Sequence, residues 1–303
     1  MCLVSCPFSA IVDKGQIYQT ILAIKSGTPV YAIVAPAIAG QFGPELKPEK
    51  IRPAFQALGF KNVVEVAVGA DLCTIEEARD FMEEVPEKLP FMATSCCPAW
   101  SMMAKKLYPE YEKCISMALT PMVLTARLVK QREPDCKIVF VGPCAAKKLE
   151  ASRKSVRSYV DFVLTFEELQ GMFEAKGVNF KELPDGEPLK EASSDGRGFA
   201  ASGGVASAVV KAIKRMEPNR EVKVVSAEGL QNCKKMLQMA KAGKYNGYLL
   251  EGMACPGGCI AGAGTIQPIR KSAASLEMMK KQAGFEECLD TEYEHLLSEL
   301  EEL

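Results

Sequence analysis

Five cysteines lie in three short segments of this sequence, and each segment also carries proline or glycine. The segments read TSCCPAW at residues 94–100, GPCAAKKLE at 142–150 and EGMACPGGC at 251–259. Thiolates are the ligands of iron–sulfur clusters, and glycine allows the backbone to approach the inorganic sulfides closely. Five thiols from three distant segments are enough for a cluster with four cysteine ligands and one additional thiol. The pattern therefore indicates an iron–sulfur site.

The three segments resemble the three signature motifs of the [FeFe]-hydrogenase catalytic domain, which read TSCCPxW, PCxxKxxE and ExMxCxxGC. They occur in the order of that family, and the resemblance extends from about Thr28 to Gly264. It implies that the chain catalyses the reversible conversion of protons and electrons into H2. Gly142 and Met122 stand where methionine and glutamine are usual, so the chain resembles a less-characterised, group B-like branch of the family.

The resemblance also implies a cofactor, the H-cluster, in which a [4Fe–4S] cubane is linked to a di-iron subcluster with CO, CN⁻ and dithiolate ligands. It assigns the cubane to Cys97, Cys144, Cys255 and Cys259, and the bridge to the di-iron unit to Cys259. Reasoning from the residues alone selects nearly the same set, because these cysteines stand at proline or glycine turns after predicted strands. Without such a context, buried free thiols are expected at Cys73, Cys114, Cys136, Cys233 and Cys288.

Proton transfer in the family uses a further thiol and a short relay. The resemblance gives the proton-donor role to Cys96, and a thiol suits this role because its ordinary pKa is about 8.5. Ser116 has the family spacing for a relay serine, and Glu77 matches a relay glutamate if one deletion precedes Cys96. Asp80 stands where a second glutamate is usual. Lys147 follows Cys144 by three residues, and its ammonium group can donate to a cyanide ligand of iron.

The walls of the di-iron site are expected in loops that carry small residues, proline or a soft side chain. Met253 offers an adaptable thioether, and glycine allows close approach to the cofactor. The complete set of expected lining residues is Ala35, Pro36, Pro143, Met253, Ser202 and Gly203.

Strand and helix patterns alternate along the chain from residue 28 onward. Strands are predicted at 29–34, 62–68, 137–141, 159–164, 222–226 and 248–251, and helices at 48–58, 74–84, 166–174, 206–216 and 230–242. A capping box from Thr74 to Glu77 predicts the start of the second helix. Such alternation implies mainly parallel sheets covered on both faces. We expect an α/β fold of two lobes, each a mainly parallel sheet flanked by helices, with the metal cluster in the cleft between them.

Four regions are expected along the chain. In residues 1–27, Cys2 and Cys6 match the second half of a ferredoxin cysteine run, which predicts the remnant of a truncated or decayed ferredoxin-type 4Fe–4S domain. Residues 28–135 are predicted to form the N-terminal lobe and residues 136–270 the C-terminal lobe. Residues 271–303 end in a leucine stripe behind a capping box at Thr291, which predicts a helix folded back on the core or docked to a partner subunit.

Composition narrows the class of protein. The chain has 303 residues, of which 48% are hydrophobic and 25% charged, with a net charge of −1, so nothing favours nucleic acid or a membrane surface as partner. No apolar run is long enough to span a bilayer, and the first residues lack a basic signal-peptide region. Twelve cysteines in such a chain indicate metal ligands in a cytoplasmic protein, and the single His295 excludes histidine-based metal sites.

Three functions remain open at this point. The first is an anaerobic hydrogenase that exchanges electrons with ferredoxin or another low-potential carrier and depends on maturation proteins for its cofactor. The second is an H2 or redox sensor built on the same domain. The third is a non-enzymatic iron–sulfur assembly factor of hydrogenase ancestry, a type of relative that typically lacks the cysteine present here as Cys96.

Overall fold

A computed structural model describes residues 7–8, 14–154, 156 and 159–301. Cys2 and Cys6, on which the ferredoxin-remnant interpretation depends, lie outside the described residues. In this part of the chain, seven strands form two sheets that are parallel throughout. The strands are β1 (Val30–Val34), β2 (Asn62–Glu65), β3 (Phe91–Ala93), β4 (Lys137–Gly142), β5 (Phe162–Thr165), β6 (Lys223–Glu228) and β7 (Tyr248–Met253).

The strands are joined by helices, as parallel pairing requires. The α-helices are Ile17–Lys25, Ile51–Leu58, Ala67–Glu84, Pro98–Leu107, Pro121–Arg132, Ala146–Ala151, Phe166–Lys176, Ser194–Gly198, Gly204–Met216, Leu230–Lys241, Ile269–Lys281 and Leu297–Glu301. Short 3-10 helices occupy Pro36–Ile38, Pro48–Lys50, Pro109–Cys114, Cys259–Ala261, Cys288–Asp290 and Glu294–Leu296. Among the described helices, none combines the length and the hydrophobicity needed to cross a membrane.

The two sheets draw their strands from both halves of the chain. One sheet has the order β2-β1-β4-β5 and the other the order β3-β7-β6. The α/β prediction with parallel sheets flanked by helices is therefore confirmed. The predicted boundary at residue 135, however, does not divide one sheet from the other, because β3 pairs with β7 and β1 pairs with β4 across it.

Both faces of β1 and β4 are covered, which explains why these strands read as nearly continuous apolar runs, whereas the edge strand β6 is largely exposed. In β1, Val30 and Val34 face one apolar cluster, and Tyr31 and Ile33 face another on the opposite side of the sheet. The three-stranded sheet likewise separates two clusters. One contains Leu249 of β7 together with the Ala67–Glu84 and Gly204–Met216 helices, and the other contains Leu250 together with the Leu230–Lys241 helix.

Two predicted helix starts are wrong. The strand predicted at 62–68 ends at Glu65, and the following helix begins at Ala67, so Thr74 lies inside that helix and its hydroxyl donates to the Ala70 carbonyl at 2.8 Å. Thr291 is extended and its hydroxyl donates to the Cys288 carbonyl, whereas the C-terminal helix begins at Leu297. In both places the threonine hydroxyl donates to a preceding backbone carbonyl and does not cap the start of a helix, because tertiary packing fixes the helix boundaries elsewhere.

Several helices and the short strand β3 escaped prediction. The helices Pro98–Leu107 and Pro121–Arg132 both carry proline at their first position, where its missing N–H costs nothing. The C-terminal segment lies against the second of them, since Gln131 Nε2 donates to Glu299 Oε2 at 2.7 Å and the Arg127 guanidinium donates to the Leu300 carbonyl. Leu300 is fully buried there.

Candidate metal centre

The three cysteine segments all follow strands at their carboxyl ends. Cys96 and Cys97 come after β3, and Cys255 after β7. Because β3 and β7 pair in parallel, with Ala93 opposite Leu250, these two segments leave the sheet side by side at the carboxyl ends of the strands. Cys144 follows β4 of the other sheet. The candidate site therefore joins the ends of both sheets, a position where ligand sites form in α/β folds.

Close backbone packing fixes the segments against one another. Gly252 leaves room for the buried Trp100 indole, since a Cβ atom at Gly252 would lie 2.2 Å from a ring carbon. The indole Nε1 donates to the Thr94 carbonyl at 2.9 Å, a hydrogen bond within the first segment, so the indole that packs on Gly252 of the third segment is held in place. The Gly264 N–H donates to the Pro143 carbonyl at 2.8 Å, which ties the second segment to the loop that follows the third.

The turn that contains Ser202 and Gly203 lies against the turn between Cys255 and Cys259. The Ile260 N–H donates to the Ala200 carbonyl at 3.1 Å. Gly258 has a φ of +90°, and a Cβ atom there would lie 2.5 Å from the Ser202 nitrogen. Glycine is required at this position both for the backbone conformation and for the close approach of the two turns.

The described cysteines fall into two groups by exposure. The five thiols of the three segments are half-buried and keep accessible surface: Cys96, Cys97, Cys144, Cys255 and Cys259. The others are buried, and they are the ones expected to be free structural thiols: Cys73, Cys114, Cys136, Cys233 and Cys288. Half-buried thiols at loop ends are available to a cofactor, whereas fully buried ones behave as small apolar side chains.

The four candidate ligands interact electrostatically with one another. Burial, followed by the charges of the neighbouring Cys144 and Cys97, raises the pKa of Cys255 to about 11. Burial also raises the pKa of Cys259, with additional contributions from Cys97, Cys144 and Cys255. As thiolates the four groups would repel one another, and bound iron would supply the compensating positive charge.

The donor set fits a cluster better than a single ion. No three His, Cys, Asp or Glu side chains in the described ranges come together closely enough to hold one metal ion. In a cubane each cysteine binds a different iron atom, so its ligands stand farther apart than those of one ion. Four mutually interacting, half-buried thiols match that requirement.

Lys147 lies beside these thiols on the Ala146–Ala151 helix and is 9% exposed. Its Nζ lies 2.7 Å from Glu150 Oε2, while the Thr120 hydroxyl donates to Glu150 Oε1 at 2.5 Å. Burial lowers the pKa of Lys147, but the Glu150 carboxylate outweighs it together with Cys144 and Cys96, so the pKa lies above its ordinary value. Lys147 is thus a buried cation, and Glu150 forms part of its frame.

Glu77, Ser116 and Cys96 come together around the first segment. Glu77 is fully buried, and its Oε1 accepts the Ser95 N–H at 3.4 Å. Burial raises the pKa of Glu77 to about 7, against a hydrogen bond with Ser116 that lowers it. The pKa of Cys96 lies well above its ordinary value, mainly through burial and then through the charge of Glu77. The thiol pKa expected near 8.5 does not hold here. Asp80 is half-buried and raises the pKa of Glu77.

The expected lining residues differ in how much they are exposed. Met253 is 2% exposed and belongs to the apolar cluster against which Cys96 and Cys97 pack. Buried positions are Ala35, Pro36, Pro143 and Met253, and half-buried ones are Ser202 and Gly203.

Packing explains two departures from the family pattern. A Cβ atom at Gly142 would lie 2.6 Å from ring carbons of Phe140 and 3.2 Å from the Ala35 Cβ, so a methionine does not fit without rearrangement. Met122 is fully buried in the cluster beneath β1 and β4. An apolar side chain suits that environment better than an amide, which would need a hydrogen-bond partner.

Several buried charged residues escaped sequence reasoning. Arg197 Nε donates to Glu65 Oε2 at 2.9 Å, and both side chains are almost fully buried. Asp71 Oδ2 accepts the Ser193 N–H at 2.8 Å. Glu251, the first residue of the third segment, is also fully buried. Acidic residues at the end of an apolar run, as in NVVEVAVGAD from residue 62, were the available signal.

Comparison with known proteins identifies the family. The family profile described as "Iron only hydrogenase large subunit, C-terminal domain" matches residues 28–263. The chain belongs to this family. The periplasmic [Fe] hydrogenase large subunit of Nitratidesulfovibrio vulgaris is 31% identical over 73% of this chain and 62% of its own length. The NADP-reducing hydrogenase subunit HndD of Solidesulfovibrio fructosivorans is 28% identical over 93% of this chain and 57% of its own length.

Not every relative is named as a hydrogenase. A protein of Aedes aegypti named "Probable cytosolic Fe-S cluster assembly factor" is 29% identical over 79% of this chain and 62% of its own length. The chain thus spans about three fifths of these curated relatives. A solved [FeFe]-hydrogenase from a study of oxygen inactivation shares the fold, with a TM-score of 0.78, 22% identity and 94% coverage of both chains. A HydA1 variant from Chlamydomonas reinhardtii has a TM-score of 0.76, again at 22% identity and 94% coverage of both chains.

Proposed function

We propose that this chain catalyses the reversible conversion of protons and electrons into H2. The observation that carries the proposal is the group of five half-buried thiols from three segments, flanked by a buried lysine and a buried glutamate. Cys97, Cys144, Cys255 and Cys259 would hold a [4Fe–4S] cubane, and Cys259 would bridge to the di-iron subcluster. Iron–sulfur ligation by four thiolates is the chemistry for which this donor set is suited.

The residues around the thiols would hold the cofactor and move protons. When bound, the H-cluster would supply the redox chemistry at iron for H2 formation and cleavage. The Cys96 Sγ would deliver and accept protons at the cofactor. The Glu77 carboxyl, hydrogen-bonded to Ser116, would pass protons between this thiol and the solvent. A pKa of about 7 allows Glu77 to give and take protons near neutral pH. The Lys147 ammonium would donate to a cyanide ligand.

Electrons would come from outside the chain. We propose ferredoxin or another low-potential carrier as the partner, with maturation proteins delivering the di-iron unit. A basic surface begins beside the third segment, since the Leu230–Lys241 helix follows Gly229, whose N–H donates to the Met253 carbonyl at 2.8 Å. Residues 229–250 contain four lysines and no acidic residue. Opposite charge on a carrier would speed its encounter with this surface.

An iron–sulfur assembly factor is the second candidate, because relatives with that name align with most of this chain. The two functions differ in the fate of the iron. A hydrogenase keeps its cubane and turns over, whereas an assembly factor transfers a cluster to another protein. The presence of Cys96 supports the hydrogenase, since a thiol beside the ligand set has no evident use in cluster transfer.

The test is H2 production by purified protein reconstituted with iron and sulfide and then loaded with a synthetic di-iron complex. Reduced methyl viologen supplies the electrons. We expect H2 evolution from the wild type, loss of bound iron and of activity in Cys144→Ser, and both retained in Cys233→Ala, which alters a buried thiol outside the ligand set. A loaded wild type that makes no H2 but passes its cluster to an apo-ferredoxin would favour the assembly factor.

A further inference from the structure

A buried carboxylate without a cationic partner lies under the candidate site. Glu251 of β7 is fully buried. Its Oε1 accepts the Gly203 N–H at 2.8 Å, and its Oε2 accepts the Ala206 N–H at 3.0 Å. No lysine or arginine among the described residues forms an ion pair with it. Burying a carboxylate costs free energy because it loses its hydration, and here the hydrogen bonds from two N–H groups at the start of the Gly204–Met216 helix offset that cost.

The turn that this carboxylate holds also touches the third cysteine segment. Gly203 has a φ of +86° and precedes the helix, so its N–H direction is fixed by an uncommon backbone conformation. On its other side, the Ser202 N–H donates to the Gly257 carbonyl at 3.4 Å. Gly258 packs so closely that a Cβ atom would lie 2.7 Å from the Ala201 carbonyl carbon. A shift of this turn must therefore move the cysteine segment as well.

We propose that Glu251 is a positioning residue that sets the approach of the 202–204 turn to the 255–259 turn. It lies four residues before Cys255 on the strand that leads into that segment, so one element carries both the carboxylate and a candidate iron ligand. Through its two hydrogen bonds it fixes the turn that packs on the third cysteine segment. The inference rests on the proposed function for the identity of the cofactor, but the contacts belong to the chain itself.

Hydrogen exchange on the metal-free protein tests the contacts directly. In Glu251→Gln one oxygen is replaced by a donor group, so at least one of the two N–H groups loses its acceptor. We expect exchange at the Gly203 and Ala206 amides to become roughly tenfold faster, while amides of β1 and β4 exchange as in the wild type. Asp161→Asn is the matched control. It alters a carboxylate that accepts the Ile138 N–H at 2.9 Å near the start of β4, away from the turn.

Spectroscopy of protein that carries only the cubane distinguishes positioning from a general loss of stability. Glu251→Gln should still bind about four irons per chain, but the electron paramagnetic resonance signal and the reduction potential of the cubane should differ from those of the wild type. In Asp161→Asn both should stay at the wild-type values. Glu251→Asp, which keeps the charge on a shorter side chain, should give intermediate exchange rates and serves if Glu251→Gln does not fold.

Two results would overturn the inference. One is unchanged exchange at Gly203 and Ala206 in the variants, and the other is an equal acceleration along the whole chain with an unaltered cubane signal. A wild type that binds the cubane but makes no H2 would instead contradict the proposed function. The exchange result would remain decisive for Glu251 in that case.

Discussion

Replacing Glu77 by glutamine should stabilise the metal-free protein at neutral pH and abolish its proton relay. Glu77 is fully buried and its pKa is raised from 4.5 to about 7, chiefly by burial. An amide of the same shape can still accept the Ser95 N–H but carries no charge at any pH. Stability and activity should therefore change in opposite directions, which a purely structural residue would not produce.

The magnitude follows from the two pKa values. Because the folded state binds the proton more tightly than the unfolded state, the wild type loses stability as the pH rises from about 4.5 to about 7. At about 1.4 kcal/mol per pH unit, this loss amounts to about 3 kcal/mol from Glu77 alone. The variant lacks this loss. It should match the wild type near pH 4.5 and exceed its free energy of unfolding by about 3 kcal/mol at pH 8.

Urea unfolding of metal-free protein, followed by circular dichroism under reducing conditions from pH 4.5 to 8, measures this difference. Glu83→Gln is the matched control, since Glu83 lies on the same helix, is exposed and pairs with Lys88 at 2.7 Å, which lowers its pKa. The control should show no gain with rising pH. A difference between Glu77→Gln and the wild type that stays constant over this range would refute the reasoning.

Three further changes test other parts of the account. Cys96→Ala should keep the iron content and lower H2 turnover about 100-fold or more. If this variant lost the cubane instead, Cys96 would be the iron ligand and Cys97 the additional thiol. Burial raises the pKa of Asp71 to about 7, so the wild type should lose about 4 kcal/mol of its free energy of unfolding between pH 4 and pH 7, and Asp71→Asn should not. The same dependence of unfolding free energy on pH in both proteins would contradict this. Replacing the exposed Lys234 and Lys235 by glutamate should lower kcat/KM for an acidic carrier about tenfold at low salt. An effect that does not change with salt concentration would exclude this surface as the place where the carrier docks.

Much of the fold could be predicted because several strands, such as β1 and β4, are apolar runs bounded by turn residues. β4 was predicted within one residue, since Lys137 and the proline after Gly142 limit it on either side. The pairing of strands could not be predicted. Nothing local in residues 91–93 says that β3 joins β7, more than 150 residues later in the chain. The interleaving of the two sheets likewise depends on contacts distant in sequence.

For the candidate site, residue types were predictable and their surroundings were not. Thiols beside proline and glycine are visible in the sequence, whereas the burial that raises the pKa values of Cys96 and Glu77 depends on the helices packed around them. The acceptor role of Glu251 also depends on a turn nearly 50 residues earlier in the chain, since its partner is the Gly203 N–H. The ligand roles of the four cysteines remain predictions that require iron-loaded protein.

The central claim is that this chain holds a di-iron subcluster linked to a cubane, and infrared spectroscopy tests it most directly. Protein reconstituted with iron and sulfide is loaded with the synthetic di-iron complex, freed of unbound complex and measured without oxygen. The account predicts sharp bands from CO and CN⁻ ligands that stay with the protein, and their loss in Cys259→Ala, which lacks the bridging thiolate. A spectrum without such bands, from protein with about four irons per chain, would contradict it.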